Sequence, residues 1–443
     1  RISADIGGHA LAGRLARAAA IRGGAQHAAH GDVVGDAHKR RKERRAENIL
    51  VLMDLFIEMV GDLAGDIIGI VVIVAVFRRS FGGFLQFLIA LPIGLQGIGE
   101  AFTYGAPLAV MQYLVENTLG PKLLGRDPAD IDGLWQTLYI STLASGRRSM
   151  TLGAISGIDM ALWDLKGKCE HKPIAALLGG ERDCIHSYAS GGFYAHGKGL
   201  DGLRRELEGY MRMGYTDAKI KIGRNLDRPH APLKVLGITE DTVTVEEDWQ
   251  RIRAAKAIVG EGNLAVDTNA SWDRATALEN APRLVEAGVG WLEEPIPFED
   301  MQGLTLLCRS NPGLKIVGCE TQQGAGNFTT MLDVGALDVV QPDVGWAGGI
   351  SECVRIGAAA QAHGRPISLH CFGSAVLFAA SLQVAAALPG LLPMESEENP
   401  NPLKSALTKA PFTADEKMAW YVPQGDGLGI DLDWDAVEKF VVK

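Results

Sequence analysis

The sequence predicts an α/β protein whose larger part is a parallel βα barrel, and three features carry that prediction. After Cys184, short apolar runs of strand type alternate with longer amphipathic, Ala-rich segments. Eight such runs end near Ser190, Lys221, Asp267, Glu293, Glu320, Gln341, His370 and Glu395, and several neighbouring ends lie 25 to 29 residues apart, the length of one βα unit. Nearly every end carries a charged or hydrogen-bonding side chain, the placement expected at the C-terminal rim of a barrel. The alternative is an open doubly wound sheet; the run of polar residues at the strand ends favours the barrel.

The elements follow in chain order. Residues 1–47 are rich in Ala, Gly, Arg and His and contain the basic run Lys39-Arg40-Arg41-Lys42, the composition of a disordered, solvated tail. The frequent Arg would suit a transit peptide, but Ser is scarce and acidic residues are present. No Met precedes Met53 and the texture changes near Gly97, so a misassigned start is the other expectation for this tail. Ile67 to Phe77 and Phe84 to Leu95 are apolar, yet each is shorter than the ~18–20 residues that span a bilayer. They read as buried β-strands, with a membrane anchor the lesser alternative. Helices are expected over Ala106–Leu119, Ile131–Leu143 and Ala154–Lys168, the last with a wide apolar face. The polar, Pro-containing segment Arg224–Thr244 reads as an inserted loop. The expected division is a tail over 1–47, a capping domain over 48–183, a barrel over 184–398 and a C-terminal segment over 399–443.

The formal charge of −10 over 443 residues argues against nucleic acid or an anionic membrane as partner, and the 47% hydrophobic fraction allows a large core. The six cysteines include no C-x-x-C pair, which fits reduced thiols in a cytoplasmic protein.

The strand ends point to a chemistry. Alone, an Asp after an apolar strand is ordinarily a turn or helix cap, and a lone His a satisfied core residue; the series is harder to explain so. Asp267, Glu293 and Glu320 bring three carboxylates from successive strands, which would repel and raise one another's pKa without a cation. Oxygen donors with no His or Cys favour Mg²⁺, with Mn²⁺ the alternative. Ala218-Lys219-Ile220-Lys221-Ile222 alternates strictly, so both lysines share one strand face. Two adjacent ammonium groups should depress each other's pKa and tune one lysine toward a general base. His370 and Asp343 end neighbouring strands, and such a pair makes a second acid/base.

At these residues the sequence resembles the enolase superfamily and, within it, the mandelate racemase subgroup, over about Gly97 to Leu432. Ser156-Gly157-Ile158-Asp159-Met160-Ala161-Leu162-Trp163-Asp164 resembles the family's segment leading into the barrel, and Lys219-Ile220-Lys221 its K-x-K, whose second lysine is the base. The resemblance implies a (β/α)7β TIM-like barrel with an α+β cap built from the N-terminal region and the returning C-terminal tail. It implies Asp267, Glu293 and Glu320 as metal ligands, Asn269 as a substrate contact, and Asp343–His370 as a catalytic dyad. Lys219 and Glu395 would serve both catalysis and substrate binding, Glu395 as a protonated acid on the substrate carboxylate. Lys or His bases working with Mg²⁺ are known for such sites. Where the muconate-lactonizing subgroup has a sixth-strand lysine, this chain has Val344-Gly345-Trp346. The implied reaction is Mg²⁺-dependent removal of a proton α to a carboxylate, giving an enediolate. Dehydration of an aldonate or aldarate sugar acid is the favoured outcome; racemisation, epimerisation or lactone cycloisomerisation use the same residues, and a non-catalytic homologue with a damaged cap is the remaining alternative. The implied partner is a small carboxylate, in a homo-oligomer (dimer or octamer). The family's first cap strands are not recognisable in residues 45–96; Phe102 and Tyr104 suit either a lid or the core.

Overall fold

The computed structural model describes residues 73–77, 84–90, 95–105, 107–146, 148–195, 197–223 and 244–440. All belong to one compact unit, residues 68–443. The expected tail over 1–47 and most of the inserted loop lie outside the described residues.

The two apolar runs read as strands do contain strands, though they are not recognisable in the sequence as the family's first cap strands: β1 (Ile73–Phe77), β2 (Phe84–Ala90) and β3 (Gln96–Phe102) form an antiparallel sheet in that order. Unbroken apolar runs hide the period of two that marks a half-buried strand, which is why these two read as buried strands without a place. Helices α1 (Leu108–Leu114), α2 (Ile131–Ser141) and α3 (Met150–Glu170) follow. Met111, Leu134, Trp135, Ile155 and Leu162 form the core between them. The strand β3 lies almost in contact with α3. A Cβ on Gly97 would fall 2.1 Å from the Ala161 carbonyl, and one on Gly99 2.0 Å from that of Gly157. Only glycine permits that approach.

The barrel runs as β4 (Cys184–Gly191), α4 (Leu200–Met213), β5 (Ala218–Lys221), α5 (Val245–Val259), β6 (Leu264–Asp267), α6 (Arg274–Glu286), β7 (Val289–Glu293), α7 (Met301–Ser310), β8 (Lys315–Gly318), α8 (Ala325–Asp333), β9 (Val339–Val340), α9 (Gly349–Ala362), residues 366–370, α10 (Ala375–Ala387) and β10 (Met394–Glu397). Neighbours from β10 through β4 to β9 pair in parallel. Residues 366–370 supply the remaining strand position. Ser368 N donates to Val340 O at 3.0 Å and Leu392 N to Ile367 O at 2.8 Å, so the segment bonds to both sides and the ring closes. Among the described residues, eight strand positions and seven helices make the expected (β/α)7β barrel.

After the barrel, β11 (Ala419–Tyr421) pairs antiparallel with β4. Asp164 of α3 accepts from Ile98 N and from Leu428 N, each at 2.8 Å, joining the cap strand and the tail to one helix. Among the described residues, no helix is long and apolar enough to cross a membrane.

Candidate active site at the barrel rim

Period-two alternation on each strand separates an apolar layer from a charged one. Tyr188, Ala265, Trp291, Val317 and Val339 pack together inside the barrel. Two residues further along their strands stand Asp267, Glu293 and Gln341, with Lys219 and Lys221 on β5, and all are buried.

Asp267, Glu293 and Glu320 converge, with ligand atoms all within 4.8 Å of one another. Glu320 lies just beyond β8, after Gly318 and the positive-φ residue Cys319. Burial raises the Glu293 carboxyl to about 8 despite Lys219, and burial also raises Glu320. Asp267 goes the other way: burial raises it, but Lys221 and Lys219 together bring it below the ordinary value. Glu320 Oε2 is buried without a hydrogen bond, although His370 Nε2 is 3.1 Å away. Three buried oxygen donors, one of them unsatisfied, fit a hard divalent cation such as Mg²⁺ or Mn²⁺.

The lysines correct one expectation. Lys219 and Lys221 do share an inward face, but each meets carboxylates before it meets the other. Lys219 ion-pairs with Glu293 and, at 2.8 Å, with Glu395; Lys221 ion-pairs with Asp267. Burial lowers both lysines, and the carboxylates outweigh it, so both are raised rather than depressed. Glu395 is corrected in the same way. Burial raises it, but Lys219, His370 and Lys221 outweigh burial and hold it below the usual carboxylate range. That direction favours the carboxylate beside Lys219 over the protonated acid expected.

His370 and Asp343 are paired across neighbouring strand positions, with Nδ1 2.6 Å from Oδ2. A carboxylate only accepts, so Nδ1 carries a proton. Burial lowers the imidazole, yet Glu320, Glu395 and Asp343 raise it to about 10. Glu395 Oε2 lies 3.6 Å from Nε2. Asn269 sits beside the cluster, half-buried in the left-handed region (φ 46°), its N–H donating to Asp267 Oδ1 at 2.7 Å. Tyr104 joins the rim from the cap: its hydroxyl donates to the Glu320 carbonyl at 3.1 Å, and its ring packs 4.0 Å from Phe102 and 4.8 Å from Trp346.

Two residues were missed. Gln341 Nε2 donates to Glu293 Oε2 at 2.9 Å and to the Tyr188 hydroxyl at 3.0 Å, buttressing the carboxylate. Extending the Lys219/Lys221 alternation to β4 would have placed Tyr188 inside.

Residues 202–436 match the enolase C-terminal domain-like family and residues 86–179 the mandelate racemase / muconate lactonizing enzyme N-terminal domain. The second match reaches back beyond Gly97 into β2. An arabinonate dehydratase of Saccharolobus solfataricus is 35% identical over 351 residues, 79% of this chain and 88% of that protein. A D-galactarolactone cycloisomerase of Agrobacterium fabrum is 32% identical over 363 residues, 78% of this chain and 88% of its own. The crystal structure of the 3,6-anhydro-D-galactonate cycloisomerase from Zobellia galactanivorans superposes with a TM-score of 0.74 at 28% identity, covering 84% of this chain and 100% of that one. Barrel, cap and rim thus agree with the matches: the chain is an enzyme-family member of the enolase superfamily, in its mandelate racemase group.

Proposed function

We propose that the protein is a Mg²⁺-dependent hydro-lyase that removes the proton α to the carboxylate of a sugar acid and expels the β-hydroxyl. One observation carries this: a lysine and an Asp-paired histidine flank a buried three-carboxylate cluster. Asp267, Glu293 and Glu320 would hold the cation, which when bound would stabilise negative charge developing on the substrate carboxylate. A carboxylate that binds a cation no longer holds Lys221 as an ammonium, which frees the lysine toward the neutral amine a base requires. Lys221 Nζ then takes the α-proton, and the C–H electron pair forms the enediolate. His370, protonated near neutrality, gives its Nε2 proton to the β-oxygen as the C–O bond breaks, and water leaves. Asp343 keeps the imidazole oriented and charged. The resulting enol tautomerises to the 2-keto-3-deoxy acid. Lys219, held by Glu395, binds the substrate carboxylate, and Asn269 contacts it. This assigns Glu395 the orienting of Lys219.

Dehydration is favoured by the 35% identical relative, an arabinonate dehydratase. Cycloisomerisation is the second reading, supported by the relative named for it. Cap and barrel meet near residue 184 in this proposal, six free cysteines support a cytoplasmic location, and a homo-oligomer is expected. The test is a panel of aldonates and aldarates, arabinonate included, incubated with Mg²⁺ in D₂O and followed by NMR. The expected result is α-proton exchange with formation of a keto acid, lost on chelation and restored by Mg²⁺. Neither exchange nor product across the panel would overturn the proposal.

A further inference from the structure

Just behind the rim, the first two turns of α5 bury an aspartate and an arginine that the chemistry above does not use. Asp248, Arg251 and the β4-loop residue Tyr194 are 1%, 6% and 9% exposed. Asp248 accepts from the Tyr194 hydroxyl with one oxygen and from Gly223 N at 2.8 Å with the other. Arg251 donates to the Gly192 carbonyl and, at 3.4 Å, to that of Lys221, and its guanidinium stacks 4.2 Å from the centre of the Tyr194 ring. Three apart on one helix, the two residues share a face.

The targets of these bonds are the informative part. They are the main chain of Lys221 itself, of Gly223 two residues on, and of Gly192, next to Phe193. The Phe193 ring in turn lies 5.3 Å from Lys221 Nζ. Buried charges placed only for stability are commonly replaceable by apolar packing at no loss. A fork of donors and acceptors aimed at backbone atoms does something apolar side chains cannot: it sets where two strand ends stand relative to each other.

We infer that Asp248, Arg251 and Tyr194 are positioning residues, a clamp that fixes the ends of β4 and β5 and thereby aims Lys221 at the α-carbon. The inference rests on the reading of Lys221 as a base. The clamp touches neither His370 nor Asp343, so its loss acts on one of the two proton-transfer faces.

The test uses arabinonate and its C2 epimer ribonate with the full-length, Mg²⁺-loaded protein, following solvent exchange of the α-proton of each. Lys221→Ala identifies the acid whose proton the lysine takes. For that acid Tyr194→Phe and Asp248→Asn should slow exchange about 10- to 100-fold, the scale of a misplacement near 1 Å, while the other epimer changes less than about 3-fold. Equal losses for both epimers, or none, would overturn the clamp. If Lys221→Ala itself spares both epimers, the base assignment has failed instead, and the clamp's role in aiming a base falls with it. A readout free of substrate is amide hydrogen exchange of peptides spanning 191–195 and 218–223. Asp248→Asn should speed it by at least about tenfold there and not in the 366–371 peptide. Unchanged exchange in both loop peptides would overturn the clamp, whatever acid the enzyme uses.

Discussion

The floor and the rim of this barrel are built on the same strands two residues apart, and they obey opposite rules. Ala265 and Trp291 belong to an apolar cluster; Asp267 and Glu293 follow them on β6 and β7 among buried charges. The floor gains free energy from every buried atom. The rim spends some of it, because each buried carboxylate or ammonium must be desolvated before a partner compensates. The contrast assigns stability to the lower layer and function to the upper.

The largest test of that division is at the bases. Lys221→Ala and His370→Asn should each lower α-proton exchange or dehydration by about 10²–10⁴-fold, the usual weight of a positioned acid or base. Full activity in both would remove the assignment of Lys221 as base and His370 as acid. The floor should respond in the reverse sense. Trp291→Ala should cost about 3–5 kcal/mol in denaturant unfolding. A loss below about 1 kcal/mol would show that the floor does not carry stability. Glu320→Gln probes the rim's cost directly. With chelator present the variant should melt at or above wild type, since it removes a buried charge whose pKa burial raises. It should also lose most of the Mg²⁺-dependent stabilisation, which for wild type at a hundredfold excess over Kd is about 2.7 kcal/mol. A variant that kept that stabilisation would take Glu320 out of the ligand set.

The same contrast explains what was legible in the sequence. Barrel and rim were readable because the two layers alternate along strands: a charge after an apolar run is visible in one dimension. Asp343 beside His370 followed from strand adjacency alone. Charge states were not readable. Lys219 and Lys221 are near neighbours in sequence, but their strongest partners, Glu293, Glu395 and Asp267, come from other strands. Pairing across the barrel reversed the expected shift of both lysines and of Glu395. The clamp was invisible for the same reason, since its bonds reach the main chain of distant loops. The strands β1 and β2 lacked alternation, so their run lengths showed and their pairing did not.

The smallest effect separates cap from barrel. Glu100, on β3, is buried and accepts hydrogen bonds from the N–H and hydroxyl of Ser374, which caps α10 just beyond His370. Burial raises its carboxyl from 4.5 to about 7, against the pull of the Ser374 bonds. A carboxyl raised on folding binds its proton more tightly in the native state. Its contribution is therefore fully present below the unfolded value near 4.5 and is lost as pH rises through about 7. Wild-type stability should carry a downward slope across that window, bounded by about 1.4 kcal/mol per pH unit for one proton. Glu100→Gln cannot ionise, so the variant should lack that part of the slope while keeping the slopes contributed elsewhere. Urea unfolding of both proteins at half-unit steps from pH 5 to pH 8 measures the difference. Parallel curves would mean that Glu100 is ionised throughout, held by Ser374 more strongly than burial opposes it, and that the cap meets the barrel through a fixed charge.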